Sequence, residues 1–168
     1  MRPFRAAKDG TVRARFDRDE VDLLVQLSGE AGAIATAAAE GAGAAALDPA
    51  VLRLLPDAYP DDPDASAEFR RFTAAGIAER KALNARVVAE TLAHGGAGTV
   101  EVRLDDAQAV AWLRAITDIR LVLAARLGIV QDGDDGDIHD ASSALQRAVY
   151  DWLAGVQESL VLALDARR

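Results

Sequence analysis

The segment TVRARFDRDEVDLLVQL, residues 11–27, decides the fold because it holds a strand, a helix cap and the start of a helix in one run. Apolar and polar residues alternate in its first part, which is typical of a strand with one buried face. The apolar positions of this strand are Val12, Ala14 and Phe16. Asp17 follows at a natural N-cap position, so a helix is expected to begin near Arg18. The predicted buried face of that helix is Val21, Leu24, Val25 and Ser28.

Upstream of this strand, residues 3–16 predict a β-hairpin whose turn is formed by Lys8-Asp9-Gly10. Phe4 and Ala6 are expected on the same face as the apolar residues of the second strand. The opposite face is then basic and contains Arg5, Arg13 and Arg15.

A basic ribbon of two strands can enter a DNA major groove or contact a partner, so these arginines are the candidate contact residues. The simpler interpretation is a solvated sheet face. In that case Glu101 can neutralise Arg13 or Arg15 across the sheet.

Further along the chain, the segment TVEVRLDDAQAVAWLRA, residues 99–115, aligns with the first segment without gaps, and we call it the echo of that segment. The echo predicts a third strand near residues 99–104, beside the hairpin. Its buried positions are Val100, Val102 and Leu104. Asp105 is expected to cap the next helix, as Asp17 caps the first.

Aspartate–proline pairs at Asp48-Pro49 and Asp62-Pro63 predict two further helix starts. The second helix is expected to run from Pro63 to about His94 and to stop at Gly95-Gly96. Its predicted stripe is Phe69, Phe72, Gly76, Arg80, Leu83 and Val87. A last helix is predicted from about Ala141 to Leu164.

Gly29 and Gly32 weaken the pattern of the first helix, which is expected to end near Glu40. The sum of these elements is a mainly α protein, a bundle of about four to five helices with a small antiparallel or mixed sheet. A length of 168 residues favours one domain, residues 1–168. In it the hairpin spans residues 3–16 and the bundle spans residues 18–165.

Composition narrows the classes of function. The net charge is −8 and the sequence pI is near 4.7, which disfavours unaided binding to nucleic acid. There is no cysteine, and the two histidines are too few for the common zinc motifs. GxSxG, GxxxxGK[ST] and GxGxxG do not occur. We therefore expect no enzyme, catalytic residue, cofactor or metal.

Without an apolar leader or a membrane-spanning run, we expect a cytoplasmic protein.

Charged residues inside apolar patterns predict an internal polar network, because buried charges need partners. Asp118 and Arg120 lie in the most apolar predicted helix. With them we group Arg53, Glu68 and Arg80. The carboxylates of residues 57–68 are better explained as helix caps and ion-pair partners than as a metal loop, because their spacing matches no known loop.

Three segments resemble the signatures of an actinobacterial family of unknown function, and the basic opening FRAAKDG at residues 4–10 matches it too. The segments are LRLLPDAYPDDPDASAEFRR, AWLRAITDIRLVLAARLGI and VYDWLAGVQESLV, at residues 52–71, 111–129 and 149–161. The matching positions are Arg53, Pro56, Tyr59, Glu68, Arg70, Trp112, Asp118, Arg120, Leu121, Tyr150, Trp152 and Gln157.

The resemblance implies a non-enzymatic transcriptional regulator of oxidative stress that acts through RNA polymerase or a sigma factor. Any DNA contact is expected to be weak, secondary and confined to the hairpin. Genes of this family tend to lie near those for a ClpS-type adaptor and for cysteine biosynthesis. The alternative that this implies is a helical adaptor or scaffold linked to Clp proteolysis or cysteine supply. Some members are described as using a thiol switch, which this sequence cannot form. Self-association is also expected to be possible.

Overall fold

In the computed structural model, residues 1–41, 47–93, 98–131 and 133–167 are described. The predicted end of the long helix at His94 and its stop at Gly95-Gly96 lie outside these residues. Five helices and one three-stranded sheet confirm the predicted fold class. In chain order the elements are β1 (Arg2–Ala6), β2 (Val12–Phe16), α1 (Arg18–Glu40), α2 (Val51–Leu54), α3 (Pro63–Leu92), β3 (Val100–Leu104), α4 (Asp106–Arg126) and α5 (Ala141–Asp165).

The sheet has the strand order β1-β2-β3, and both pairs are antiparallel. Its inner face packs on the helices and is formed by Phe4, Val12, Ala14, Phe16, Val100, Val102 and Leu104. The predicted third strand is therefore confirmed, together with its buried positions. Ala6 lies opposite Val12 as expected, but it is exposed, because it is at the end of an edge strand.

Both copies of the echoed segment end their strand in the same capping box. Asp17 accepts a hydrogen bond from the amide of Glu20, whose side chain accepts one from the Asp17 amide. Asp105 and Gln108 make the same reciprocal pair at the start of α4. The echo thus predicts the local structure correctly at both places.

Helix α1 continues through its glycines to Glu40 and is capped by Gly41, which has a φ of 65° in the left-handed region. Gly32 faces α3. A Cβ there would lie 3.4 Å from the Cα of Ala82, at the short end of van der Waals contact, so the two helices pack closely at this point. Val25 was predicted to be buried, but it is 37% exposed.

Helix α3 buries a different face from the one predicted. The predicted stripe was wrong: Phe69, Phe72 and Leu83 are 42%, 74% and 46% exposed. The buried face consists of Ser66, Ala74, Ala78, Ala85, Val88 and Leu92. Because α3 packs closely on α1, small residues fill the contact and the bulky side chains lie outside it.

The short helix α2 begins later than its aspartate–proline pair predicts. Its N-cap is Ala50, and Asp48 instead accepts a hydrogen bond from the Ala50 amide at 2.8 Å. Asp62 is a true N-cap with Pro63 in the first turn, as predicted.

Helix α4 is central, as its nearly continuous apolar sequence predicts. Trp112 on α4 is fully buried and meets both hairpin strands, with ring centroids 5.6 Å from Phe4 and 5.7 Å from Phe16. Its indole Nε1 donates to Thr91 Oγ1 on α3 at 2.9 Å. One side chain thus connects the sheet, α3 and α4. Among the described residues, no helix combines the length and apolarity needed to cross a bilayer.

Candidate functional site

The outer face of the sheet is the first candidate site. We define the outer sheet face as Arg2, Arg5, Arg13, Arg15, Glu101 and Arg103. The antiparallel register places Arg5 opposite Arg13, Arg2 and Glu101 opposite Arg15, and Arg103 opposite Arg13. All six side chains therefore project away from the core. The predicted contact residues Arg5, Arg13 and Arg15 do share one face.

Two carboxylates neutralise part of this face. Glu101 accepts hydrogen bonds from Arg15 Nε and Nη2 at 2.9 and 2.8 Å, as predicted. Asp9 in the hairpin turn accepts from Arg13 at 3.0 Å and from Arg103 at 2.8 Å. Hydrogen bonds from Thr11, with Arg13, lower the pKa of Asp9 to about 2, and Arg15 lowers the pKa of Glu101. Both acids therefore stay ionised near neutral pH.

A net positive charge remains after this pairing. Across the described ranges of the chain, Arg2 and Arg5 have no carboxylate within salt-bridge distance. The face thus carries five arginines against Glu101 and the neighbouring Asp9 of the turn, in a chain whose net charge is −8. It contains a depression of about 530 Å³ lined mainly by the arginine side chains. This arrangement can bind an acidic surface.

The polar network predicted for the helices is divided between two clefts on α4. In the first cleft, of about 370 Å³, Asp118 accepts a hydrogen bond from Lys81 Nζ at 2.5 Å. Burial raises the pKa of Asp118, which is only 7% exposed, and Lys81 partly opposes that rise. Arg80 lines the same cleft but is exposed and does not bind Asp118, so its predicted role in the pair was wrong.

The second cleft, which we call the Arg53–Arg120 cleft, has a volume of about 230 Å³ between α2, α4, α5 and the loop at residues 129–131. Arg53 Nη2 donates to the carbonyl oxygen of Ile129 at 2.6 Å. Arg120 Nη1 donates to Gln157 Oε1 at 2.8 Å, and its guanidinium carbon lies 4.7 Å from the centre of the Tyr150 ring. Arg53 and Arg120 therefore line the same cleft, but among the described residues neither forms the ion pair that was predicted for the network.

Glu68 does not join either cleft. It is exposed on α3, while Arg70 beside it pairs with Asp57. At the start of α3, Ser66 Oγ donates a hydrogen bond to the Tyr59 carbonyl oxygen and accepts one from the Tyr59 amide. These bonds fix the turn that precedes the helix. The expected contribution of Glu68 to the network was wrong, because its helix turns it toward solvent.

The ionic contacts that sequence reasoning missed include those of Lys81 and Arg126. Lys81 had a usable signal, since only two of the nineteen basic residues are lysines and the other is in the hairpin turn. Arg126 on α4 had none. Its Nη2 donates to Glu30 at 2.7 Å and to Asp48 at 2.6 Å, which joins three segments that are distant in sequence.

No metal site was found in the part of the chain that the structure describes, where no three His, Cys, Asp or Glu side chains are grouped to hold an ion. In the loop before α5, Asp134 accepts from the amides of Val130 and Gln131 and so forms a turn.

Comparisons with known proteins agree with the signature segments. Proteins named oxidative stress regulator AosR, from Mycobacterium bovis and Mycobacterium tuberculosis, are each 34% identical over 134 residues, which is 72% of this chain and 60% of theirs. A putative oxidative stress regulator AosR from Mycobacterium leprae is 34% identical over 132 residues, 71% of this chain and 59% of its own. The chain thus spans about 60% of the length of these relatives. No solved structure matches it.

The match to a family covers nearly the whole chain. The family described as domain of unknown function DUF2017 matches residues 1–164, which include all the elements that form both clefts and the outer sheet face. This chain belongs to the DUF2017 family.

Proposed function

We propose that this protein is a non-enzymatic regulator of transcription in the oxidative-stress response and that it acts by binding RNA polymerase or a sigma factor. The observation that carries the proposal is the outer sheet face, a net basic surface on an acidic protein. The similarity to proteins named oxidative stress regulators supports the regulatory role.

A protein partner fits this surface better than DNA does. The charge of −8 repels the phosphate backbone at long range, and three of the five arginines on the face are already paired with Glu101 or Asp9. An acidic patch on a protein can instead match the face at short range, where complementary charges set orientation and specificity. DNA contact is therefore secondary in this proposal.

No residue of this sequence can sense oxidation through a thiol group. The sequence contains no cysteine, so none of its side chains can form a disulfide or a sulfenic acid. A redox signal then reaches this protein through its partner or through its abundance.

Charge reversal of the outer sheet face tests the proposal directly. The combined substitution Arg5→Glu, Arg13→Glu and Arg15→Glu is expected to weaken binding to purified RNA polymerase or its sigma factor by about 100-fold. The estimate takes roughly 1 kcal/mol for each lost charge contact and 1.4 kcal/mol for each factor of ten. Interferometry with the immobilised partner measures the dissociation constant.

The matched control changes Arg71, Arg86 and Arg114 to glutamate, because these arginines are exposed, lie away from the sheet and alter the net charge equally. A milder variant with glutamine at positions 5, 13 and 15 avoids repulsion between position 15 and Glu101. Equal loss in the test and control variants would contradict a specific surface. Tight binding of promoter DNA at physiological salt, with a steep salt dependence, would make DNA the primary ligand instead.

A further inference from the structure

We propose that the Arg53–Arg120 cleft binds a small oxyanion, the carboxylate or phosphate group of a small molecule. Two guanidinium groups line one cleft, and no carboxylate of the described residues lies within salt-bridge distance of either. Guanidinium groups match the oxygen geometry of carboxylate and phosphate, which accept two parallel hydrogen bonds.

That Arg53 and Arg120 have no carboxylate partner among the described residues is unusual for this chain. Acidic residues outnumber basic ones by 27 to 19, and other partly buried arginines are bound to carboxylates. Arg126 binds Glu30 and Asp48, and Arg147 binds Asp151. Two positive groups left together in a cleft repel each other, and an anion between them removes that cost.

Both arginines are held in place before any anion arrives. A single bond to the Ile129 carbonyl oxygen fixes Arg53, which leaves its other N–H groups available. Stacking on Tyr150 and the bond to Gln157 fix Arg120. Gln157 is itself anchored by donating to Thr117 Oγ1 at 2.9 Å. Such preorganisation lowers the entropy lost on binding.

Arg120 also retains a buried donor that nothing satisfies. Its Nε has no hydrogen-bond partner among the described residues and is inaccessible to solvent. A buried donor without an acceptor is unfavourable, and an acceptor brought to the guanidinium in this cleft can satisfy it. An oxyanion supplies several acceptors.

The volume of the cleft limits the size of the ligand that it can hold. A volume of about 230 Å³ is below the roughly 300–1,000 Å³ of sites for drug-sized molecules. The cleft suits inorganic phosphate or a short carboxylic acid. Leu121, Ala124 and Ile129 give it an apolar wall on which a short carbon chain can lie.

This site is separate from the outer sheet face, because it is built by helices and a loop and shares no residue with the strands. Failure of one proposal therefore leaves the other standing.

Titration followed by NMR tests the site on the full chain labelled with ¹⁵N. Sodium phosphate and sodium succinate are added separately, with sodium chloride at matched ionic strength as the reference. We expect saturable shifts of the Nε–H signals of Arg53 and Arg120 and of the amides at residues 129–131. Arg53→Gln and Arg120→Gln should each raise the dissociation constant at least about tenfold, while Arg114→Gln on the same helix should change it less than about twofold.

A second pair of variants leaves both arginines intact. Val130 is 82% exposed at the rim, so Val130→Asp adds a negative charge without disturbing the core, and Val130→Asn is its neutral control. The aspartate variant should weaken binding at least about fivefold relative to the asparagine variant. Saturation by phosphate only, by succinate only or by both supports the site and assigns the group. No saturable shift up to about 50 mM, or equal binding in Arg53→Gln or Val130→Asp, overturns it.

Discussion

Trp112→Ala is expected to lower the free energy of unfolding by about 4 kcal/mol, because removal of a fully buried indole costs transfer energy and leaves a cavity. The loss should exceed that of any other single truncation, since Trp112 contacts the hairpin through Phe4 and Phe16 and contacts α3 through Thr91. Edge and stacked aromatic contacts add to the area that the ring buries.

Urea unfolding followed by circular dichroism at 222 nm measures this change. Two control variants separate the contributions of the aromatic ring and of the hydrogen bond to this loss of stability. Trp112→Phe keeps an aromatic ring but gives up the hydrogen bond and part of the volume, so it should cost less than half as much. Thr91→Val leaves the indole N–H without an acceptor and should cost about 1–3 kcal/mol. A loss below about 1 kcal/mol for Trp112→Ala would show that the sheet does not depend on this contact.

Lys81→Met is expected to lower the free energy of unfolding by about 3 kcal/mol at pH 7, because it leaves the buried carboxylate of Asp118 without its partner. Lys81 keeps 17% of its side chain exposed, so we take the lower end of the usual range for such pairs. Lys81→Met together with Asp118→Asn removes both charges and should recover most of the loss.

The loss of stability caused by Lys81→Met should become larger as pH rises. Burial raises the pKa of Asp118 above its ordinary value of 3.8, so the folded protein holds the proton more tightly than the unfolded chain does. The cost of ionising Asp118 is absent at low pH and appears as pH rises through the raised pKa. Without Lys81 the pKa rises further. The difference between Lys81→Met and wild type should therefore be small near pH 4 and largest near pH 7.

Unfolding curves for both proteins at several pH values measure this difference, and the comparison cancels the titration of all other groups. Arg80→Met is the matched control, since Arg80 is the neighbouring residue and lines the same cleft without binding Asp118. A difference that stays constant with pH would contradict an ionised and buried Asp118.

Local patterns predicted the parts of the fold that depend on neighbours in sequence. Strand alternation and the caps at Asp17 and Asp105 involve residues within a few positions, and both were confirmed. The outer sheet face followed from the same alternation. Its pairing of Arg15 with Glu101 could be predicted because the echoed strand fixed which residues lie on each face.

The face of α3 could not be predicted in the same way. Bulky apolar residues normally mark the buried side of a helix, but here close contact with α1 selects alanines. The buried Ala74, Ala78 and Ala85 lie two residues after the predicted positions, so the predicted face is close to half a turn away from the true one. The true face carries Lys81 instead of Arg80, which also explains why the partner of Asp118 was misassigned.

Local sequence patterns could not predict the contacts between segments that are distant in the sequence. Arg53 and Arg120 meet in one cleft only because α2 packs against α4 and the loop at residues 129–131 folds over them. The predicted polar network grouped these residues, but it did so with Asp118 and Glu68 as their carboxylate partners. Only the packed structure shows that two arginines share a cleft in which no described carboxylate pairs with either.

The most direct test of the central claim is a crosslinked pull-down from native lysate, analysed by mass spectrometry. Wild type is compared with the variant that carries glutamate at positions 5, 13 and 15 and with the control variant changed at positions 71, 86 and 114. We expect RNA polymerase or a sigma factor to be recovered by wild type and by the control, and to be lost with the outer sheet face variant. Recovery of Clp or cysteine-biosynthesis proteins instead, equally by all three proteins, would contradict the account and favour an adaptor.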